Sequence, residues 1–320
     1  MGSLVERILD QKPRLDLIPE RAVAFERPQS ISVVIPAYQA LPEIGEQLEA
    51  LGRQDFTGTF EVIVADNGGS PELRKFVENH PLADKLALRY VDASDVRGSG
   101  AACNRGVREA SMPFIAFCNQ DDAVHPNWLS ELAEVGSEYG IVGGALEGES
   151  LNDRAVAQWR PLPPPHKLPV IGHFLPMTFG CNMGMWRSVF EEIAGYDESF
   201  GGSGSGGDID ICWRAQLAGY RLGYAPDAVV AYRFRSKLRD AYEQAKGYGI
   251  AEARVSRQYA DLGARGDNPI MLLGYLGWLA FMLPAWPWNW SRARIGQWVW
   301  AAGIVNGRLR GSWRYKRFYL

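Results

Sequence analysis

The sequence predicts an α/β protein: a doubly wound, mostly parallel sheet followed by a helical C-terminal extension. Two observations carry this. Short apolar, β-branched runs alternate with segments of helical spacing from residue 31 to about residue 145, as strands buried on both faces and separated by crossover helices require. From about residue 236 the apolar period is helical to the end. In order, ISVVIP (31–36) is a continuous run of strand length, and 42–53 has helical spacing through Ile44, Leu48 and Leu51. A strand at 60–65, a helix near 71–79, a strand at 86–91 and a helix near 100–110 follow. A strand at 113–118, a helix near 126–137 and a strand at 140–145 complete the alternation. Residues 159–176 (WRPLPPPHKLPVIGHFLP) are too Pro-rich for regular structure and are read as an ordered, extended loop. Regularity resumes over 181–194. A Gly/Ser run at 201–207 leads into DIDICWRAQLAGY, and 222–231 (LGYAPDAVVA) reads as strand, turn and strand. The chain thus divides into a lead-in (1–29), a main α/β unit (30–235) and a helical region (236–320).

Composition narrows the function. The 320 residues carry 34 Lys+Arg against 37 Asp+Glu, a net charge of −3, which excludes a general nucleic-acid binder with its basic excess. The average conceals a split: residues 268–320 hold seven basic residues and no acid, together with several of the 11 Trp. Cys103, Cys118, Cys181 and Cys212 show no metal-ligand spacing and are expected to be buried free thiols in a reducing compartment. The charged N-terminus has no apolar core of a secretory signal. The expected location is therefore cytoplasmic, peripheral on the inner face of a membrane if the tail binds one.

In open parallel sheets, ligands bind at the carboxyl ends of the strands. Asp66 directly follows the strand at 60–65, and Asp121 lies just past the strand at 113–118. Carboxylates there can accept hydrogen bonds from a base or ribose, or hold a cation against phosphates. Each can equally be a turn residue closing its strand. Asp208 and Asp210 open a helix after the Gly-rich run. Asp is a common cap in such a place, and a carboxylate there is also a candidate general base.

Six ordered blocks, ISVVIPAYQALPEIGEQLEAL, VIVADNGGS, RGSGAACNRGVREA, FIAFCNQDDAVHPNWL, GCNMGMWRSVFEEIAGYDESF and GGDIDICWRAQLAGYRLGYAPDAVV, resemble the family 2 glycosyltransferases. The resemblance runs from about residue 30 to about residue 235 and implies the GT-A nucleotide-sugar fold. It implies that Pro36, Ala37 and Tyr38 border the nucleotide base, that Asp66 contacts it, and that Arg97 and Asn104 lie in the block closing over the nucleotide. The family's Asp-X-Asp metal motif falls on Asn119-Gln120-Asp121. This is the Asn-X-Asp variant of rhamnosyl- and galactofuranosyltransferase-like members, with Asp121 kept as the metal-facing carboxylate. Asp208 matches the catalytic base, with Gly207 where the family has Glu. A His completing the metal site in many members is absent, the chain reading Ala231-Tyr232-Arg233 there. Mg²⁺ or Mn²⁺ remains the implied cofactor, and Arg233 or Arg235 is the expected substitute charge on the diphosphate.

The implied reaction is a single displacement with inversion. A sugar passes from a UDP- or dTDP-linked donor to a hydroxyl of a polysaccharide, glycolipid or specialised-metabolite acceptor. Two other readings are weighed. One is a non-catalytic nucleotide-sugar binder or partner subunit, motivated by Asn119, Gly207 and the missing His. The other is an NAD(P)-dependent enzyme, from the partial fingerprint at 98–102. Trp213 and Arg214 are candidate donor or acceptor contacts, with core packing the simpler account of Trp213. Trp159, Trp186, His166 and His173 are weaker acceptor candidates.

The apolar run 270–283 is about 21 Å long as a helix, short of the roughly 30 Å hydrocarbon core. An interfacial helix is the expectation, with Trp286, Trp288, Trp290, Trp298 and Trp300 in the headgroup layer and Arg292, Arg294, Arg308, Arg310, Arg314, Lys316 and Arg317 on anionic lipid. The alternative is a helical hairpin packed on the catalytic unit or buried in a homodimer interface.

Overall fold

The computed structural model describes residues 12–201, 204, 206–266, 269–283 and 291–319. Trp286, Trp288 and Trp290 of the expected headgroup layer therefore lie outside the described residues.

Eight strands form one sheet in the order β3-β2-β1-β4-β7-β6-β8-β5. They are β1 (Ser30–Ala37), β2 (Thr59–Asp66), β3 (Leu88–Asp92), β4 (Phe114–Cys118), β5 (Ala123–Val124), β6 (Ile141–Glu147), β7 (Asn182–Trp186) and β8 (Leu222–Ala231). The first half is the expected parallel crossover sheet, with β1 paired to β2 and β4, and β2 to β3. Between these strands run α1 (Ile44–Leu51), α2 (Pro71–Glu78) and α3 (Ser99–Glu109); α4 (Trp128–Gly136) precedes β6.

Side chains alternate strictly along the central strands. Val33, Ile35, Val62, Val64, Phe114 and Ala116 face a core shared with α1, α2 and α4, which Trp128 anchors. Val34, Ile63, Ile115 and Phe117 face the opposite core, which Trp213 anchors. Completely burying such an aliphatic or aromatic side chain stabilises by about 1.5–3 kcal/mol, so a one-residue slip of any central strand would be prohibitive.

The second half departs from the alternation. β7 enters between β4 and β6 and runs antiparallel to both. The segment 182–186 contains NMGMW, too short and too glycine-bearing for its strand character to be evident from pattern. β8 is one strand rather than two. Its register against β6 jumps between Gly144 and Ala145, from Ala225 to Val229, so that Pro226, Asp227 and Ala228 bulge out. The bulge absorbs a Pro that a continuous ladder could not accommodate.

After β7 come α5 (Arg187–Glu192) and α6 (Gly207–Leu217), and after β8 come α7 (Leu238–Gln258), α8 (Pro269–Phe281) and α9 (Arg292–Arg314). α9 lies closely on α7. An ideal β-carbon on Gly307 would stand 2.1 Å from the Lys246 carbonyl oxygen, so only glycine permits this approach. A third core of Val156, Trp159, Cys181, Tyr232, Phe234, Ala241, Ala245 and Trp300 joins the Pro-rich segment and the end of β8 to these helices. The helical region thus forms part of the wall at the carboxyl edge of the sheet.

Candidate active site

The carboxyl ends of β1, β2, β3, β4, β6 and β8 lie along one edge of the sheet. Ala37 pairs with Asp66, Asp66 with Asp92, and Glu147 with Ala231. Because β7 runs the other way, its first residue, Asn182, stands beside Cys118 at that same edge. The chain entering β7 therefore delivers Gly180 and Cys181 there. A cavity of about 280 Å³ opens at this edge, walled by Pro36, Asn119, Arg160, Asp208, Tyr232 and Trp300 among others.

Asp208 occupies the first turn of α6. Gly206, at φ +93°, makes the left-handed turn that starts the helix, a conformation that strains any residue with a β-carbon. Burial raises the proton affinity of the Asp208 carboxyl above its ordinary value. The N–H groups of Ile209 and Gly180 and the charge of Arg160 oppose this shift without cancelling it. The N–H of Ile209 donates to Oδ1 at 3.0 Å. A carboxylate held by backbone donors, lining a cavity and with raised proton affinity, is equipped to accept a proton from a bound hydroxyl. Asp210 has a different task. Fully buried, it accepts from Arg214 Nε at 2.7 Å, Gln258 Nε2 at 3.0 Å and the Tyr259 hydroxyl at 2.7 Å, and so braces α6 against α7.

The Asn119-Gln120-Asp121 loop is organised from within. Asn119 Nδ2 donates to Asp122 Oδ2 at 3.1 Å, and the Arg233 N–H donates to Asp122 Oδ1 at 2.9 Å. Asp122 is almost completely buried; burial and the neighbouring charge of Asp121 push its carboxyl well above the carboxylate range. Asp121 Oδ2 pairs with Arg235 Nη1 at 3.2 Å. The Arg233 guanidinium engages Glu46 and donates from Nε to the Asp121 carbonyl at 2.8 Å. Arg233 and Arg235, the residues expected to meet a diphosphate, each have an acidic partner here, Glu46 and Asp121, which a phosphate would have to replace.

Divalent cations need several oxygen ligands. In this loop the first motif position is an amide, Asp122 is buried behind it, and Asp121 is engaged by Arg235. Among the described residues no three His, Cys, Asp or Glu side chains converge on one point. This donor set does not build a resident cation site.

The nucleotide-side residues are largely self-satisfied. Asp66 is fully buried and accepts from the N–H of Gly68 at 2.8 Å, the N–H of Ser70 at 2.6 Å and the Tyr90 hydroxyl at 2.9 Å. It therefore shapes the loop that follows β2, as the turn alternative expects. Asn104 donates from Nδ2 to the Tyr196 carbonyl and to Glu198 Oε1, each at 2.9 Å, and accepts the Tyr196 N–H at 2.8 Å. Its amide ties α3 to the segment carrying Tyr196 and does not line the cavity. Arg97 is exposed between β3 and α3, away from the cavity lining. Pro36 lines the cavity, Ala37 is buried, and Tyr38 is exposed.

Trp213 is a core residue, its Nε1 donating to the Leu175 carbonyl at 2.9 Å. Arg214 binds Asp210 and the carbonyls of Ile193 and Gly195. Neither reaches the cavity lining. Trp159 packs under α9, donating to the Arg292 carbonyl at 3.1 Å, and Trp186 stacks on Phe25 and meets Phe114 edge to face. All four cysteines are free and buried, as expected.

Three contributors escaped the sequence reading. Gln120 clips the Tyr38 loop, accepting its N–H at 2.6 Å and donating to its carbonyl at 2.9 Å. Asn67 donates to the carbonyls of Ala93 and Val96 and accepts the N–H of Gly98, so it links the end of β2 to the entry of α3. Arg160 was part of an irregular Pro-rich stretch. Its signal was a cation set between Trp159 and Pro161 at the start of the Pro-rich run.

A curled, mostly parallel sheet with one antiparallel insertion and an acid-bearing cavity at its carboxyl edge defines the GT-A class of fold. The description Glycosyl transferase family 2 matches residues 32–194, and the chain belongs to that family. It is 27% identical over 277 residues to the pre-mycofactocin glycosyltransferase of Mycobacterium tuberculosis, covering 81% of this chain and 54% of that one. This chain thus spans about half the length of that relative. It is 25% identical over 290 residues to the succinoglycan biosynthesis protein ExoA of Rhizobium meliloti, covering 84% and 85% of the two chains. The mannosyltransferase PcManGT from Pyrobaculum calidifontis, solved with GDP-Man and Mn²⁺, shares the fold at a TM-score of 0.55 and 19% identity, over 95% of this chain and 94% of that one. S. aureus TarS, solved with UDP-GlcNAc, does so at a TM-score of 0.50 and 18% identity, over 91% and 93%.

Proposed function

We propose that this chain is an inverting glycosyltransferase that moves a sugar from a nucleoside-diphosphate donor to an acceptor hydroxyl. The observation that carries the proposal is Asp208, a half-buried carboxylate of raised proton affinity that lines the same cavity as Pro36 and Asn119. In the reaction Asp208 takes the acceptor's hydroxyl proton. The acceptor oxygen bonds to the anomeric carbon, and the bond from that carbon to the diphosphate breaks with its electron pair leaving on the phosphate oxygen. Attack opposite the leaving group inverts the anomeric centre.

Family membership supports a nucleotide-sugar donor, and relatives solved with UDP-GlcNAc and GDP-Man support the same chemistry. Uridine or deoxythymidine remains our reading of the base, and Asn119-Gln120-Asp121 our reason for placing the chain beside rhamnosyl- and galactofuranosyltransferase-like members. Residues 30–235 are read as the catalytic unit and 236–320 as the helical region that completes its cavity. A divalent cation accompanies the donor in the solved mannosyltransferase. In this chain such a cation would have Asp121 and the donor's own phosphates as partners. The similarity to ExoA supports an acceptor in polysaccharide or glycolipid assembly, and that to the pre-mycofactocin enzyme a specialised metabolite.

Among the described residues no helix is long and apolar enough to cross a membrane. Attachment at the inner membrane face is supported instead by the outer surface of the helical region. Leu309, Trp313 and Phe318 are exposed beside Arg310, Arg314 and Lys316, while α8 exposes Leu273, Leu276 and Phe281. Apolar and basic side chains on one surface suit an anionic headgroup layer.

The test is a panel of UDP-, dTDP- and GDP-sugars with and without EDTA, read first as thermal stabilisation and then as transfer, with the anomeric configuration of the product determined. Stabilisation by one donor family and an inverted product are expected; a retained configuration would overturn the single displacement.

A further inference from the structure

Two arginines line this cavity, Arg160 and Arg308, and Arg308 is paired with Glu252 at 2.8 Å. Arg160 enters from the Pro-rich segment and lines the same cavity as Asn119, Asp208 and Tyr232. Its guanidinium carbon lies 4.8 Å from the ring centre of Tyr232, 5.1 Å from that of Tyr248 and 5.3 Å from that of Trp300. Three aromatic faces from β8's exit, α7 and α9 therefore fix its plane. Its Nη1 is buried and has no hydrogen-bond partner, and among the described residues no carboxylate lies within ion-pair distance. The contrast with its neighbours is sharp. Arg233, Arg235 and Arg214 each pair with an acid at the same edge.

Aromatic rings stabilise a guanidinium through their faces but accept no in-plane N–H hydrogen bond. A buried, unpaired N–H of a cation is a costly arrangement. It becomes favourable when an anion with several acceptor oxygens arrives, and the planar fork of Arg matches phosphate oxygens in pairs. The local electrostatics agree: the charge of Arg160 is felt at both Asp122 and Asp208, as its place in the cavity shared by Asn119 and Asp208 requires.

We propose that Arg160 is the phosphate-binding cation of the cavity: its buried Nη1 receives a substrate phosphate beside Asp208. The phosphate is either the donor's diphosphate or one carried by the acceptor. The proposal rests on the glycosyltransferase reading of Asp208 and deepens it by naming what holds the leaving or incoming phosphate in a chain whose motif loop offers one engaged carboxylate. The aromatic cage places two residues of the C-terminal helices, Tyr248 and Trp300, in the binding machinery as positioning residues.

The full chain and its Arg160→Met and Arg160→Lys variants are titrated calorimetrically in EDTA and again in Mn²⁺. The donor arm compares UDP, dTDP and GDP with the matching nucleosides; the acceptor arm compares farnesyl phosphate with farnesol. The expected result is that Arg160→Met lowers the affinity gained from the phosphates at least tenfold in one arm. Nucleoside or farnesol binding stays unchanged, and Arg160→Lys recovers part of the loss. The arm that responds identifies the source of the phosphate. An unchanged phosphate increment in both arms overturns the proposal, as does a wild-type chain that binds neither phosphate probe. A wild-type chain that binds no nucleotide but loses farnesyl phosphate binding on substitution overturns the donor reading and leaves Arg160 assigned. Should Arg160→Met fail to fold, Arg160→Lys decides on the same ratio with a severalfold loss, because it keeps the charge and loses the fork.

Discussion

The two sides of the sheet's carboxyl edge are built on opposite rules. On the β1–β2–β3 side the polar residues satisfy one another: Asp66 is closed by two backbone N–H groups and Tyr90, and Asn104 by Tyr196 and Glu198. On the β7–β8 side Asp208 and Arg160 face the cavity, Asp208 held by backbone donors and Arg160 with an unpaired Nη1. Even within one helix turn the rule holds, since Asp210 is a fully engaged brace and Asp208 is not. Groups that hold a loop in shape complete their hydrogen bonds inside the protein. Groups that act on a ligand keep capacity for it at the expense of stability.

Substitutions should therefore separate the sides. The largest effect expected is on Asp208→Asn. Turnover should fall by about 10²–10⁴, the usual contribution of a positioned general base, while nucleotide binding and thermal stability are retained. The wild-type kcat/KM should also show an acid limb above pH ~4, the ordinary carboxylate value, because burial raises the folded Asp208 and the base must be ionised; that limb should vanish in the variant. Normal turnover by Asp208→Asn would remove the base assignment.

On the other side, Asp66→Ala should act on stability. Leaving the N–H groups of Gly68 and Ser70 and the Tyr90 hydroxyl unpaired should cost about 1–3 kcal/mol per buried group left unsatisfied, read by urea unfolding. Weaker nucleotide binding would follow from the disturbed loop. A variant of full stability that loses only nucleotide affinity would instead make Asp66 a direct base contact.

A smaller effect comes from Asp122. Its folded proton affinity is raised, so between pH ~4, where the unfolded carboxyl ionises, and its higher folded value the native state holds more protons. Stability should fall as pH rises through that window. Asp122→Asn should flatten the decline in a melting-temperature profile, and an equal slope in both proteins would show that Asp122 is not its source.

The smallest effect expected is at the surface. Trp313→Ala combined with Arg310→Gln and Arg314→Gln should change stability by no more than ~0.5 kcal/mol, as exposed substitutions do. It should nevertheless reduce flotation with anionic liposomes severalfold. Equal flotation would assign that surface to a protein partner or a second copy of the chain.

Much of this was legible from pattern alone. Continuous β-branched runs such as 31–36 and 60–65 have the length and composition of strands buried on both faces, and the ends of those strands locate the ligand edge. The placement of Asp208 in the first turn of a helix followed from the Gly-rich run before it. Local pattern also made plain that the tail is basic and Trp-rich. Partner choice could not be read this way. That Arg233 turns to Glu46, 187 positions away in sequence, depends on the β8 bulge and the insertion of β7, which no local periodicity encodes. The tertiary structure alone decided which carboxylates and cations were neutralised by neighbours and which were left facing the cavity. Hydrogen-bond satisfaction and burial are properties of the packed chain, whereas strand and helix periods are properties of the sequence.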